Sequence, residues 1–310
     1  MGKTFVTSSA TRLKYSVAFQ GSWFQLLRPM TWTGTLSPIT AGTIYALLYS
    51  SFDVSGFVIL MLAALMVQSS ANMLNDYFDF KNGQDKERWT YHNDKQKFRP
   101  VFHQIPYVAA TTFAIAILLG IWIGSQYGWW MFILGLVGIL AASFYSAGKK
   151  SLAAIGLGET VAAVFLGFVP FMLGYAVQGA PMTPLAFIVA MPYVILISSM
   201  ILTNNIRDIH KDAGFRKTVP MRTGRKSAVF VLRSLIAGAY IIVVGLVAFH
   251  ILSWFVLVVF AALPKGIQLW RAVSDTAGAE QLALSMKYAA LHHWHFGLLY
   301  IFGMLLTSFM

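Results

Sequence analysis

The sequence predicts an all-α membrane protein with about nine transmembrane helices in a bundle. Of its 310 residues, 57% are apolar and only 11% are charged, whereas an ordinary soluble domain has roughly 25% charged residues. The apolar residues form continuous runs close to the length of about 20 residues that crosses a bilayer. Strands of an outer-membrane barrel would instead show short segments of alternating polarity, so we reject that class.

Nine apolar runs define the predicted spans. They cover residues 31–51, 54–79, 105–126, 129–146, 152–177, 184–210, 226–249, 251–270 and 288–309. Pro264 and Lys265 interrupt the eighth span. The second and sixth spans end in similar Asn/Asp sequences, which indicates two four-helix units followed by one helix. We therefore expect a single transmembrane domain over residues 1–310.

The charges in the loops predict how the spans are oriented. The linkers near residues 52, 127, 180 and 250 contain neither Lys nor Arg, whereas the alternate loops are rich in both. Because basic loops stay in the cytoplasm, we expect a cell-membrane protein with its N-terminal segment 1–30 inside and its C-terminus outside. The net charge of +12 then reflects topology and contact with anionic membrane lipid, and we expect no nucleic-acid partner.

The second span ends in a polar helix face. The residues on it are Asn72, Asn75, Asp76 and Asp79. Their spacing of three or four residues places them on one side of a helix. Carboxylates at the end of a membrane helix are costly unless they have a partner. Carboxylate and carboxamide oxygens are hard ligands of the kind that Mg²⁺ or Ca²⁺ prefers, so this face predicts a divalent-cation site.

The sixth span ends in a similar face at the same side of the membrane. Asn204, Asp208 and Asp212 follow each other at intervals of four residues, again on one side of a helix. Divalent ions held between the two acidic ends would clamp a diphosphate and neutralise its charge as it departs. Neighbouring basic residues suit such a phosphorylated ligand; they are Lys149, Arg207, Lys211, Arg216, Lys217 and Arg222.

These two motifs resemble those of the UbiA superfamily of intramembrane prenyltransferases. The matching segments are Asn75-Asp76-Tyr77-Phe78-Asp79 and Asp208-Ile209-His210-Lys211-Asp212. Other matching pieces are Arg28-Pro29, Gly156-Leu157-Gly158-Glu159 and the segment from Lys217 to Arg222. The resemblance implies a nine-helix fold, Mg²⁺ as cofactor, a polyprenyl diphosphate donor and an aromatic small-molecule acceptor.

The resemblance also implies a role for individual residues. Metal ligands would be Asn75, Asp76, Asp79, Asp85, Asn205, Asp208 and Asp212, of which Asp76, Asp79, Asp208 and Asp212 are catalytic. Diphosphate ligands would be Lys149, Arg207, Lys211, Lys217 and Arg222. A pocket for the acceptor or the carbocation would include Arg28, Asn72 and Tyr145, under the cytoplasmic loops 80–104 and 211–225.

Details of the motifs are most similar to the branch of the family that makes menaquinone. That similarity implies 1,4-dihydroxy-2-naphthoate as acceptor, decarboxylated to demethylmenaquinone. The segment from Glu87 to Pro100 departs from this branch, so a paralogue that prenylates another quinone or aromatic precursor remains an alternative. An ion-coupled transporter is an alternative from another class. It would place its Asp residues near the midplane, and it has little use for the basic cluster.

Overall fold

The computed structural model describes residues 17–91, 98–148 and 150–308 and is built almost entirely of helices. The helices are α1 (Trp23–Leu26), α2 (Thr33–Ala46), α3 (Val54–Lys81), α4 (Ile105–Tyr127), α5 (Trp129–Ser146), α6 (Gly158–Ala176), α7 (Pro184–Arg207), α8 (Val219–Thr223), α9 (Arg225–Ala248), α10 (Trp254–Ala272) and α11 (Ala279–Ser308). Two short strands, β1 (Val17–Phe19) and β2 (Trp89–Tyr91), pair antiparallel. The predicted all-α membrane class is confirmed.

Eight helices of the described chain are long and apolar enough to cross a membrane. The first predicted span, 31–51, differs, because its α-helix covers only the 14 residues Thr33–Ala46. At 1.5 Å per residue this helix is about 21 Å long, short of the roughly 30 Å hydrocarbon core. A 3-10 turn, Pro29–Thr31, precedes it. In the described part of the chain, the bundle therefore consists of eight long helices and the short helix α2.

Sequence signals explain how individual helices begin and break. Asp53 caps α3, because its carboxylate accepts a hydrogen bond from the backbone N–H of Gly56, which would otherwise lack a partner. Helix α6 contains a π-helical segment, Ala163–Phe168, which ends two residues before Pro170, a residue without an N–H to donate. Helix α10 begins as a 3-10 helix and becomes α-helical at Leu263. Pro264 lies in the first turn of that α-helical part, where proline is tolerated.

The short helix α2 lies inside the bundle, packed mainly against α6 and α11. Gly42 and Gly174 let the backbones of α2 and α6 approach closely, since a Cβ at either position would collide with a carbonyl of the other helix. Small residues serve this purpose in membranes, where lipid removes the hydrophobic drive for helix association. Buried aromatic rings fill the core around them: Tyr45, Phe171, Tyr175, Tyr193, Phe296 and Tyr300.

The predicted site residues lie mostly at one end of the bundle, which we call the polar rim. Helices α3, α5 and α7 end there, and α6 begins there. Contacts across the rim show this arrangement: Asn75 of α3 donates to Ser146 Oγ of α5 at 2.6 Å, and Asn205 of α7 donates to Glu159 Oε1 of α6 at 2.7 Å. The loops after α3 and α7 therefore meet above the same space.

Candidate active site

Asp76 is the most buried carboxylate at the polar rim, with 1% of its side chain exposed. Arg28 holds both of its oxygens, with Nη2 2.5 Å from Oδ1 and Nε 3.3 Å from Oδ2, and it also donates to Asn75 Oδ1 at 3.1 Å. Arg88 makes a second ion pair with Oδ1. Burial opposes the charge of Arg28, but the charge and hydrogen bonds of Asp76 prevail and raise the Arg28 pKa.

Arg216 joins the two acidic motifs. Its Nη2 lies 2.7 and 2.8 Å from the two oxygens of Asp79, and its Nε lies 3.8 Å from Asp212 Oδ1. Gln84 donates to the same Oδ1 at 3.2 Å. The other oxygen, Asp212 Oδ2, is buried and has no hydrogen-bond partner in the described part of the chain. Burial raises the pKa of Asp212 against the opposing charge of Arg216.

Asp85 connects the loop after α3 to the loop after α7. Lys211 Nζ lies 2.5 Å from Asp85 Oδ1 and 3.3 Å from Glu87 Oε1. Burial of Asp85 would raise its pKa, but the hydrogen bond and charge of Lys211 lower it. Asp208 is held locally, since Arg207 of the adjacent position contacts its oxygens at 2.6 and 2.8 Å.

The ends of the second and sixth predicted spans thus meet through Arg216. The predicted helix face of Asn204, Asp208 and Asp212 is wrong in one respect, because α7 ends at Arg207 and both Asp residues follow it in turns. Five carboxylates of the rim are each paired with at least one cation: Asp76, Asp79, Asp85, Asp208 and Asp212. Five cations make these pairs: Arg28, Arg88, Arg207, Lys211 and Arg216. Glu87 shares Lys211 with Asp85, so the paired groups comprise six carboxylates and five cations.

Other predicted residues lie apart from these carboxylates. Asn205 donates to Glu159, which also accepts the backbone N–H of Val219 at 2.7 Å. Arg222 donates to the backbone carbonyl of Ile155 at 2.5 Å. Lys217 is exposed, and Lys149 lies outside the described residues. Their predicted roles as ligands remain predictions.

An apolar groove opens at the rim and runs among α2 to α7. It has a volume of about 360 Å³. Its polar end is lined by Arg28, Asn72, Asn75, Tyr145, Asn204 and Arg216. Ile39, Leu60 and Met131 are among its apolar lining residues. Asn72 is oriented there by bonds to Leu27 O at 2.9 Å and Thr31 Oγ1 at 3.0 Å. A second cavity of about 390 Å³ lies at the rim, and Arg216 lines both.

Two rim residues were not predicted at all, and the position of a third was not predicted. Arg88 and Gln84 gave no signal, because they lie in an irregular loop where no helical spacing places them on the acidic face. Arg216 stood out only as one of several basic residues after the second motif. Its particular place between Asp79 and Asp212 depends on a turn that the sequence pattern does not specify.

The rim suits a hard divalent cation. The guanidinium groups keep the carboxylates apart, and within the described chain no three acidic or histidine side chains form a ready-made metal cluster. The donor set nevertheless consists of oxygens, as Mg²⁺ requires. The buried, unpaired Asp212 Oδ2 is a group whose desolvation is left uncompensated, and a bound cation would satisfy it.

The chain belongs to the UbiA prenyltransferase family, whose family model matches residues 35–306. It is therefore a prenyltransferase and a multi-pass membrane protein. It is 32% identical over 294 residues to 1,4-dihydroxy-2-naphthoate octaprenyltransferase of Bacillus subtilis, covering 92% of this chain and 93% of that one. It is 25% identical over 296 residues to 2-carboxy-1,4-naphthoquinone phytyltransferase of Synechocystis, covering 91% and 92%.

Solved structures share the fold. A UbiA homolog from Archaeoglobus fulgidus bound to GPP and Mg²⁺ superimposes with a TM-score of 0.61 at 16% identity, covering 90% of this chain and 99% of that chain. At this identity the likeness establishes the fold alone. The family match over most of the chain favours the enzyme over the ion-coupled transporter.

Proposed function

We propose that this protein transfers a polyprenyl group from an allylic polyprenyl diphosphate to 1,4-dihydroxy-2-naphthoate, with loss of the carboxylate, in menaquinone biosynthesis. The observation that carries the proposal is the meeting of two acidic helix ends at the mouth of an apolar groove. A substrate that is charged at one end and lipid-like at the other matches both the polar rim and the apolar groove. The acceptor is proposed from the names of the relatives.

The groove would bind the prenyl tail and the rim the diphosphate. Arg28, Asn75, Asn204 and Arg216 line the end where the two parts meet, so the reacting allylic carbon would lie beside them. Further cations would stabilise the diphosphate, and they are those predicted from the sequence: Lys149, Arg207, Lys211, Lys217 and Arg222. In the proposed enzyme, loops 80–104 and 211–225 cover this site.

Mg²⁺ would be held by Asp76, Asp79, Asp208 and Asp212, with Asn75, Asn205 and Asp85 as further ligands. When bound, the metal supplies positive charge against the developing charge of the departing diphosphate. The residues themselves must first release their present partners. Arg216 leaves Asp79 and Arg28 leaves Asp76, and both guanidinium groups then face the diphosphate, to which such forks bind strongly.

Transfer breaks the bond between the allylic carbon and the diphosphate oxygen and forms a bond from that carbon to the ring carbon that bears the carboxylate. The carboxylate then leaves as carbon dioxide, and its bonding electrons restore the aromatic ring. An aromatic face stabilises a nearby cation. Of three candidates for this role, Tyr145 lines the groove, Tyr77 is stacked on Phe102 at 4.4 Å, and Phe144 is exposed. We assign the role to Tyr145.

The acceptor is tested with purified protein, Mg²⁺, octaprenyl diphosphate and a panel of aromatic acids. We expect dihydroxynaphthoate to give a prenylated product that has lost carbon dioxide, detected by mass spectrometry. Turnover of a different acceptor alone would replace the naphthoate, in line with the divergent loop from Glu87 to Pro100. Absence of turnover with every acceptor, from protein that binds the donor, would overturn the proposal.

We further propose that the protein lies in the cell membrane with its N-terminus and polar rim in the cytoplasm and its C-terminus outside. The distribution of basic residues supports this orientation. The chain has no cysteine, so a single introduced cysteine reports the side of the membrane on which it lies, without labelling of native cysteines in this protein. In intact cells, a membrane-impermeant maleimide should label Met182→Cys, in the linker between α6 and α7, and spare Lys150→Cys at the rim. The reverse pattern would contradict the proposed orientation.

A further inference from the structure

Helices α9 and α10 separate from each other toward the side of the membrane on which the polar rim lies. The 3-10 half of α10, Trp254–Ala262, packs against both α9 and α11, whereas its α-helical half, Leu263–Ala272, packs against α11 and hardly against α9. Three large apolar side chains of this second half, at intervals of four and three residues and so on one side of the helix, are 37% to 41% exposed: Leu263, Ile267 and Trp270. A cleft between α9 and α10 therefore opens to the lipid.

Arg233 of α9 is the cation of this cleft. Its guanidinium carbon lies 5.1 Å from the ring centroid of Trp270. Arg233 follows Arg225, the first residue of α9, by eight residues, or about 12 Å. The 24 residues of α9 span about 36 Å, against roughly 30 Å of hydrocarbon. Arg233 thus lies just inside the edge of the apolar layer, close to the level at which tryptophan is enriched in membrane proteins.

The guanidinium of Arg233 is only weakly satisfied by the described residues. Its hydrogen bond to the carbonyl of Val273 is 3.5 Å long, at the outer limit for such a bond, and its Nε is buried without a partner. Arg225 differs, because its Nη2 donates to Ser274 O at 3.0 Å and to Ala277 O at 2.8 Å. Arg225 therefore holds the loop after α10, whereas Arg233 keeps a charge that is costly at the edge of the hydrocarbon unless it has a partner.

The chain around the cleft offers little counter-charge. From residue 225 to residue 310 it contains six Lys or Arg residues and two acidic residues, Asp275 and Glu280. Both acidic side chains are exposed, and the ion pairs of the described chain include neither of them nor Arg233. Basic pockets between transmembrane helices bind the head groups of anionic lipids, so a membrane anion matches this excess of positive charge.

We propose that the cleft between α9 and α10 binds an anionic phospholipid of the leaflet on the rim side. Arg233 receives the lipid phosphate, because a guanidinium fork matches phosphate oxygens. Trp270 orients the guanidinium through the cation–π contact. One acyl chain lies along Ile267 and Leu263, which continue from Trp270 toward the centre of the bilayer. The lipid is not a substrate, so the inference does not depend on the proposed donor or acceptor.

The test measures lipid binding to the full-length protein in a neutral detergent by native mass spectrometry, with phosphatidylglycerol and phosphatidylcholine as probes. We expect wild type to bind phosphatidylglycerol about tenfold more tightly than phosphatidylcholine, as for a hydrogen bond to a charged group. Arg233→Gln should lose this preference, although its amide can still donate to Val273. Trp270→Leu keeps an apolar side chain but has no ring face, and it should weaken phosphatidylglycerol binding several-fold.

Thermal unfolding in the same detergent separates lipid binding from folding. Phosphatidylglycerol should raise the unfolding midpoint of wild type, because a ligand of the folded state stabilises it, and should leave that of Arg233→Gln unchanged. The matched control is Arg271→Ala, which removes an exposed arginine next to Trp270 and should keep the full response. Without added lipid, both variants should unfold within a few degrees of wild type.

Three results would overturn the inference. Wild type would bind both lipids equally well if the cleft had no preference for an anion. An undiminished preference in Arg233→Gln would show that Arg233 only supports the end of α10. Equal losses in Arg271→Ala and Arg233→Gln would make the attraction a general effect of surface charge. None of these readouts involves turnover, so their failure is distinct from failure of the proposed function.

Discussion

Helix α3 carries carboxylates at both ends, and their partners differ. At its start, Asp53 accepts hydrogen bonds from Ser55 and Gly56, one turn away, and from the hydroxyl of Tyr127. At its end, Asp76 and Asp79 are paired with cations contributed by distant parts of the chain. Asp53 thus has neutral hydrogen-bond donors, whereas Asp76 and Asp79 have arginine side chains as partners.

In the proposed enzyme, this difference separates a structural carboxylate from carboxylates that bind the metal. A capping carboxylate satisfies backbone N–H groups of the first turn, and a ligand would have to break the helix end to use it. At the rim, by contrast, we expect a metal ion to take the place of a cationic side chain on a carboxylate oxygen. Only the rim end, on this account, participates in catalysis.

The largest effect is expected from substitutions in the acidic motifs. We expect Asp76→Ala and Asp208→Ala each to lower turnover at least about a hundredfold, because each removes a ligand for the metal that neutralises the departing diphosphate. Both variants should still insert into the membrane, as seen by membrane fractionation. Asp53→Ala is the control at the other end of the same helix and should keep its turnover. Full activity in either rim variant would refute the metal clamp.

A smaller effect is expected from Arg216, which joins the two motifs. We expect Arg216→Ala to raise the KM for the donor about 10- to 100-fold, as for loss of a hydrogen bond to a charged group, with a smaller rise in Arg216→Lys. Steady-state kinetics at saturating acceptor measure this. Arg271→Ala removes an exposed arginine elsewhere and serves as the control. A KM equal to wild type in Arg216→Ala would leave Arg216 with a structural role only.

The basic segment after the second motif should contribute less. We expect Lys217→Ala and Arg222→Ala each to raise the donor KM several-fold, because a cation at the membrane surface is partly screened by salt. Arg222 also holds the carbonyl of Ile155, so its variant should lose thermal stability as well. Lys226→Ala, on the same side of the membrane, is the control. Unchanged donor affinity in both variants would remove these residues from the site.

The smallest effect is expected at the capping end. Asp53→Ala should lower stability by about 1 kcal/mol through loss of the cap, measured as thermal unfolding in detergent. Hydrogen bonds from Ser55, Tyr127 and Gly56 lower the Asp53 pKa from 3.8 to about 2. A carboxylate whose pKa is lowered by folding stabilises the folded state at pH values above its ordinary pKa. This stabilisation is lost as the pH falls through the lowered pKa. The difference from wild type should therefore be full above about pH 4 and shrink below it. A constant difference would contradict this cause.

Sequence predicted the acidic face of α3 because helical spacing is local information, whereas α7 ends at Arg207, before Asp208 and Asp212. Asn75, Asp76 and Asp79 lie on one helix, so their common side follows from periodicity alone. Their partners lie far along the chain: 48 residues separate Arg28 from Asp76, and 137 separate Arg216 from Asp79. Such pairings depend on how loops fold over the bundle. Strand β1 was not predicted either. Its pairing also joins distant parts of the chain, and three residues are too few to show a periodic pattern.

The long transmembrane spans were predicted well because their signal is also local in the sequence. The first span shows where this kind of prediction fails. Apolar length is read directly from sequence, and eight long helices follow it. Residues 31–51 mix apolar residues with many Thr, Ser and Gly residues, and α2 ends at Ala46. Its surroundings explain this, because α2 is packed inside the bundle between α6 and α11. Protein contacts, more than lipid thickness, set the length of such a helix.

The most direct test of the account is calorimetric binding of geranyl diphosphate to the full-length protein, with and without Mg²⁺. We predict that wild type and Asp53→Ala bind tightly only when Mg²⁺ is present, and that Asp76→Asn and Asp212→Asn lose this dependence together with most of the affinity. Equal affinity with and without Mg²⁺ in wild type would contradict the claim that the two acidic helix ends hold the diphosphate through a divalent ion.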